Sequence, residues 1–202
     1  MNPALLLAAS YLLGAVPTSY IVGRVARGID LREHGSGNLG ATNAFRVLGW
    51  RLALPVLVFD VFKGWLPTYL FPTLDDAGPS WAFAYGVAAI VGHVYSVFVR
   101  FRGGKGVATS AGVFLALAPV AVGVGLAIWL AIVFTTRIVS LASIIAAVAL
   151  PLTVYALHGP TTVFWVSAGL AAFVIYAHRS NIRRLLKGEE HRFGRRGVKE
   201  AR

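Results

Sequence analysis

The 202-residue sequence contains no cysteine and a single methionine, and only 13% of its residues are charged. Without thiols there is no disulfide, no thiolate metal centre and no cysteine nucleophile, so any covalent chemistry must use other groups. Carboxylates are scarcest of all: 8 Asp and Glu stand against 19 Lys and Arg, leaving a net charge of +11. The bases gather in a few clusters separated by long uncharged stretches, which is not the evenly basic surface of a nucleic-acid binder, so nucleic acid is excluded as the expected partner. What abounds is apolar. With 57% hydrophobic residues and a mean hydropathy of +0.70, the chain cannot be a water-soluble globule.

A bilayer core takes about 20 apolar residues as helix. Stretches of that kind occupy residues 4–23, 52–70, 81–99, 138–157 and 161–177, all uncharged except the second. Residues 107–136 form an uncharged run that one tilted helix or two short ones could use. Cytoplasmic loops collect Lys and Arg, and the clusters are Arg24 to Arg51, Arg100 to Lys105 and a tail from Arg179 to Arg202, whereas the loop carrying Asp75 and Asp76 has no base. A single span over 107–136 would put the tail's bases outside; breaking it near Pro119, which lacks an N–H, returns them to the cytoplasm. The expectation is an all-α integral membrane protein with seven transmembrane helices, an external N-terminus and a cytoplasmic C-terminus. No Lys or Arg precedes Arg24, so the first span lacks the n-region of a cleaved signal peptide and is read as retained. One membrane domain over residues 1–190 and a basic tail over 191–202 complete the organisation.

On this topology three polar segments emerge on the cytoplasmic face. The first, GSGNLGATNAFR at residues 35–46, frees backbone N–H groups with small residues and adds Ser, Thr, Asn and Arg donors, a composition suited to an oxyanion. It matches G-x-G-x-x-G literally, but no strand precedes it and Asp60 lies inside an apolar span, so a dinucleotide site is rejected; Ala41 stands where a Walker A loop needs Lys. The second, GHVYSVFVRFRGGKGVAT at 92–109, places two glycines before Lys105 at a helix start, joining N–H groups, helix dipole and a fixed cation. Arg100 and Arg102 read as lipid-facing anchors. The third is HRSNIRRLLKGEE at 178–190; a continuing helix would put His178, Asn181 and Leu185 on one face and Arg179, Arg183 and Lys187 on another. Within the spans, Asp60 and Lys63 lie on neighbouring turns and can neutralise one another, because a lone charge there costs about 2.5–3.5 kcal/mol. Ser140 and Ser143 either line a pocket or bond their own helix. His93 is open between a site role and helix packing, and His34 and His191 receive none. These isolated histidines make no metal motif, and no cofactor is implied.

Together the three motifs resemble those of the PlsY family, the bacterial membrane acyl-phosphate:glycerol-3-phosphate acyltransferases, over about nine tenths of the chain, and the Asp60-x-x-Lys63-Gly64 element resembles the family pattern too. The resemblance implies seven spans, a cytoplasmic active site in a bacterial inner membrane, and transfer of a fatty acyl group from acyl phosphate to the sn-1 hydroxyl of glycerol 3-phosphate, giving lysophosphatidic acid and phosphate, the first step of phospholipid synthesis. Carried over by position, Ser36, Arg46, Lys105, His178 and Asn181 are the catalytic residues that grip glycerol 3-phosphate. Gly40, Thr42, Asn43, Gly103, Gly104 and Ser140 are candidates for the acyl-phosphate site, and Asn38, Asp60, Lys63, His93 and Thr109 for support. Neither metal nor cofactor is needed, since a mixed anhydride requires mainly that two anions be held together. A monomer is expected. His178 is a candidate base, although the departing phosphate can take the proton itself, and the resemblance favours that version. The competing class is a membrane transporter of organic phosphates, which midplane polar sites and internal repeats would favour; no repeat is visible.

Overall fold

The computed structural model describes residues 1–75, 78 and 81–193; Asp76 and the tail beyond residue 193 lie outside them. Among the described residues there is no strand. Ten helices run in chain order: α1 (Pro3–Ala15), α2 (Thr18–Arg27), α3 (Ala41–Leu48), α4 (Trp50–Leu70), α5 (Trp81–Val94), α6 (Val107–Leu117), α7 (Pro119–Thr136), α8 (Val139–His158), α9 (Thr162–Ala177) and α10 (Arg179–Leu186). Five segments are long and apolar enough to cross a membrane, α1 with α2, α4, α5 with its following turn, α7 and α8; α9 with α10 makes a sixth candidate bent by 59°. Helix α6 has 11 residues, about 16 Å of rise, roughly half a hydrocarbon core. The break expected near Pro119 is present at Ala118, whose φ of −150° and ψ of 66° leave the helical region.

Three expectations need correction. The first span is not one helix: it stops at Ala15 and restarts at Thr18, because Pro17 supplies no N–H and Val16 leaves the helical region with a ψ of 113°. The third span ends its helix at Val94, where the His93 and Val94 carbonyls accept N–H groups from Gly104 and Gly103. The last span does not continue straight through His178. The His178 N–H and its imidazole Nδ1 both bond back to the end of α9, at 3.0 and 2.8 Å from Val174 O, and α10 departs at the bend. His178 and Asn181 are nevertheless both buried, whereas Arg179, Arg183 and Lys187 are exposed, so the two faces hold.

Without water to drive them together, membrane helices associate through close backbone approach at small residues. Helix α1 packs on α5, where a Cβ on Gly14 would overlap the Ala89 backbone and one on Gly92 the Tyr11 carbonyl. Helix α4 packs on α6 with Gly64 against the Thr109 carbonyl and Gly112 against that of Val61. Trp129 Nε1 donates to Ser143 Oγ at 3.2 Å and ties α7 to α8, so Ser143 serves helix packing rather than its own backbone. Around the first polar segment a compact apolar cluster of Leu31, Leu39, Ala44, Leu48, Val56 and Val99 gives the loop a core of its own. That core holds the polar segment rigidly beside α3 and α4.

Candidate active site

The loop before α3 is built by two buried polar residues. Asp30, 4% exposed, accepts from Arg32 at 2.6 Å and Arg24 at 3.3 Å, and these contacts hold its carboxyl down at about 2. Asn43, 1% exposed, acts as the clamp: its Nδ2 donates to Leu31 O and His34 O, while its Oδ1 accepts from the Ser36 N–H at 2.8 Å and from Arg46 at 3.4 Å. Gly35 turns with φ 62°, and a Cβ there would overlap Asn43 Oδ1. Ser19 Oγ donates to Leu39 O at 2.8 Å and secures the far end. Ser36 and Arg46 are thereby left exposed at the rim.

The second segment turns tightly beneath the same rim. Arg100 and Phe101, with φ of 57° and 59°, are consecutive left-handed residues, and Gly106 follows with φ 78°. The Gly103 N–H donates to Val94 O at 3.0 Å and the Gly104 N–H to His93 O at 3.2 Å. These two N–H groups, expected to be free for an anion, are therefore spent on the end of α5, and the turn presents Lys105 instead. Thr109 Oγ1 and Ser110 Oγ in the first turn of α6 are buried without a hydrogen-bond partner.

The third segment closes the cleft. Lys105 Nζ donates to Asn181 Oδ1, and Asn181 Nδ2 donates to Glu190 Oε1 at 2.6 Å. The Glu190 side chain, 6% exposed, also accepts from Ser140 Oγ at 2.9 Å and from Arg184 Nε at 2.7 Å. The chain after α10 folds back to bring it there: the Phe193 N–H donates to Arg137 O at 2.6 Å and the Phe193 ring meets Phe45 edge-on. The basic tail expected from residue 191 is thus held against the membrane domain as far as Phe193. Glu190 and Arg184 are residues at this cleft to which the sequence reading gave no role. The only signal for Glu190 was an acidic residue closing an otherwise basic motif.

Between these segments lies a cleft of about 150 Å³ lined by Ser36, Gly37, Asn38, Lys105, Ser180, Asn181 and Arg184. Burial pushes the Lys105 amine down to about 8, opposed by Glu190 and assisted by Arg184 and Arg46. Burial, then the nearby Lys105 charge, pushes His178 down to about 4. Because Val174 O can only accept, His178 carries its proton on Nδ1 and keeps a lone pair on Nε2. Lys105, Arg46 and Arg184 against Glu190 leave an excess of two positive charges, the complement of a phosphate monoester dianion.

Seven of the sixteen predicted residues meet here: Ser36, Asn38, Lys105 and Asn181 line the cleft, Ser140 reaches it through Glu190, and Arg46 and His178 feel its charges. Gly40 caps the start of α3 and Thr42 lies in its first turn. Asp60, Lys63 and His93 form a separate buried cluster below: Lys63 Nζ lies 2.6 Å from Asp60 Oδ1, confirming the ion pair, and His93 Nδ1 lies 3.8 Å from the same oxygen. Among the described residues no group of three or more His, Asp or Glu gathers at metal-binding distance.

Comparison with known proteins identifies the family. The sequence profile of the family described as Glycerol-3-phosphate acyltransferase matches residues 4–188. A Glycerol-3-phosphate acyltransferase of Geobacter sulfurreducens is 46% identical over 193 residues, covering 96% of this chain and 98% of its own. One from Desulforudis audaxviator is 49% identical and covers 94% of each. The fold superposes on the crystal structure of PlsY (YgiH), an integral membrane glycerol 3-phosphate acyltransferase in its glycerol 3-phosphate form, with a TM-score of 0.88 and 38% identity over 95% of this chain and 96% of that one. Its lysophosphatidic acid form gives a TM-score of 0.86 over 95% of each chain.

Proposed function

The chain belongs to the glycerol-3-phosphate acyltransferase family, and from that premise we propose that it transfers a fatty acyl group from acyl phosphate to the sn-1 hydroxyl of glycerol 3-phosphate. The observation that carries this reading is the excess of two positive charges around a polar cleft. A small phosphate monoester fits that charge, and an acidic dyad for other chemistries is absent among the described residues lining the cleft. The enzyme works with seven membrane crossings, the N-terminus outside and the site opening to the cytoplasm of a bacterial inner membrane. Three basic segments on one side agree with that orientation.

In this mechanism Lys105 and Arg46, with Ser36 at the rim, take the phosphate of glycerol 3-phosphate, and Asn181 steadies Lys105. His178 Nε2 accepts a hydrogen bond from the neighbouring sn-2 hydroxyl and so orients the sn-1 hydroxyl, whose own proton stays free for the departing phosphate. The acyl phosphate enters from the bilayer with its phosphoryl group against Gly40, Thr42 and Ser140. The hydroxyl oxygen attacks the acyl carbon, the bond from that carbon to the phosphate oxygen breaks, and the proton leaves on the departing phosphate. An imidazole held near 4 is a poor proton acceptor at neutral pH, which supports the substrate-assisted route. Positioning two anions and neutralising their charge supplies the catalysis.

The test uses purified protein in lipid with palmitoyl phosphate and labelled glycerol 3-phosphate, and Lys105→Ala alongside. The expected result is labelled lysophosphatidic acid plus one phosphate per product, lost in the variant. Binding of glycerol 3-phosphate without any acylated product, together with uptake of label into sealed vesicles, would replace the enzyme with a transporter.

A further inference from the structure

Beneath the glycine turn lies a polar cluster that the reaction does not use. Asp60 and Lys63, on α4, are 2% and 1% exposed. Asp60 Oδ1 lies 2.6 Å from Lys63 Nζ and accepts from Thr18 Oγ1 at 3.3 Å, and Lys63 Nζ donates to Val16 O at 2.9 Å. The pair therefore fills the break between α1 and α2, where Lys63 adds a charged donor to the Val16 carbonyl, which also accepts the Thr18 N–H at 3.0 Å. Stability alone would not require it, since a buried ion pair is replaceable by packed apolar residues at little or no loss.

The cluster has an upward connection. His93 is 6% exposed, and its Nδ1 lies 3.8 Å from Asp60 Oδ1, inside the carboxylate's field. Its other edge carries the glycine turn. A Cβ on Gly104 would overlap His93 Nε2, and one on Gly103 would overlap the His93 carbonyl. The His93 carbonyl in turn accepts the Gly104 N–H at 3.2 Å. Ring and backbone of one residue thus support both glycines, and Lys105 follows directly. A void of only about 10 Å³ separates Lys63, Pro17, His93 and the glycines, so the turn has no room to settle lower.

We infer that His93, oriented by the Asp60–Lys63 pair, is the positioning residue that sets where Lys105 stands in the phosphate site. Gly104 is a glycine because the imidazole lies against it, and Gly103 because the His93 carbonyl does. This inference rests on reading Lys105 as the cation for glycerol 3-phosphate. Removing the imidazole lets the turn sink, draws Lys105 away from Asn181 and weakens the hold on glycerol 3-phosphate, while the acyl-phosphate subsite on α3 and α8 stays in place.

Initial rates of the full-length enzyme in lipid test it, with glycerol 3-phosphate and palmitoyl phosphate varied separately, for His93→Ala and His93→Gln, while equilibrium binding of labelled glycerol 3-phosphate is measured for Lys105→Ala with and without His93→Ala. His93→Ala is expected to raise KM for glycerol 3-phosphate about tenfold, the size of one lost charged contact, with KM for palmitoyl phosphate changed less than about twofold. His93→Gln, which refills the volume under Gly104, should recover most of the loss. Asp60→Asn with Lys63→Met, nearly conserving volume, should raise the same KM and keep a monodisperse protein. In a Lys105→Ala background, His93→Ala should leave glycerol 3-phosphate binding unchanged, because the group it positions is gone. A fall in kcat with both KM values unchanged, or a further loss of binding in the Lys105→Ala background, overturns the inference. If Lys105→Ala itself leaves binding of glycerol 3-phosphate intact, the site reading falls and this inference with it.

Discussion

The Glu190 carboxylate determines which way the Asn181 amide faces. Asn181 Nδ2 lies 2.6 Å from Glu190 Oε1, which can only accept, so Asn181 Oδ1 is turned to Lys105. The last residue of the third motif thereby orders a cation in the cleft. Glu190→Gln keeps the shape but brings an amide N–H toward Arg184 Nε or toward Asn181, and forfeits a charge-assisted contact of about 1.5–3 kcal/mol. The expected outcome is a fall of roughly 10- to 100-fold in kcat/KM for glycerol 3-phosphate, read from initial rates with the folded fraction checked by chromatography. Asn181→Asp, which sets two carboxylates against each other, should do worse.

Lys105 should govern the alkaline limb of the pH profile. Its amine is lowered to about 8, so below that pH it is charged and grips phosphate, and above it the free enzyme loses the cation. kcat/KM for glycerol 3-phosphate is therefore expected to fall as pH rises through about 8, since that ratio reports the free enzyme. Lys105→Arg, whose guanidinium stays protonated, should carry the plateau to higher pH even if its height is lower.

His178 should leave little trace near its ordinary titration range. Held near 4 by burial and by Lys105, the ring stays neutral across pH 6 to 8. The kcat profile is expected to be flat there. His178→Ala should raise KM for glycerol 3-phosphate while leaving substantial turnover at saturation. A lost turnover with unchanged binding would make His178 the base.

The close helix contacts should be intolerant of volume. A Cβ on Gly112 would overlap the Val61 carbonyl, so Gly112→Ala must push α6 from α4. Overpacking of this kind costs about 1–3 kcal/mol. A lowered melting temperature in detergent is expected, with activity falling as well because α6 begins two residues after Lys105.

Much of this was legible beforehand because the signals are local sums. A span needs a run of apolar residues, whatever its neighbours, so residues 50–70 and 139–158 could be located closely from hydropathy, and Pro119 marked its own break by lacking a donor. Lys105, Ser36 and Asn181 stood out because charged and polar residues are rare in so apolar a chain and gather in these segments. Glu190 did not, since nothing in GEE before a basic tail distinguishes a solvated carboxylate from one turned back onto Ser140, Asn181 and Arg184. Asn43 looked like a ligand donor; its amide instead closes the loop on Leu31, His34 and Ser36.

The sequence by itself determined that the chain is a helical membrane protein with its bases and polar motifs in three segments, because hydropathy, charge and helix breaking act over a few neighbouring residues. Only the tertiary structure decided which of those polar groups meet. The Glu190–Asn181–Lys105 chain spans 9 and 76 positions, and His93 lies under Gly104 through the packing of α5 against the turn. Such contacts are made by backbone paths between helices, and a hydrogen bond of about 3 Å depends on where those paths bring its two ends, which no local composition specifies.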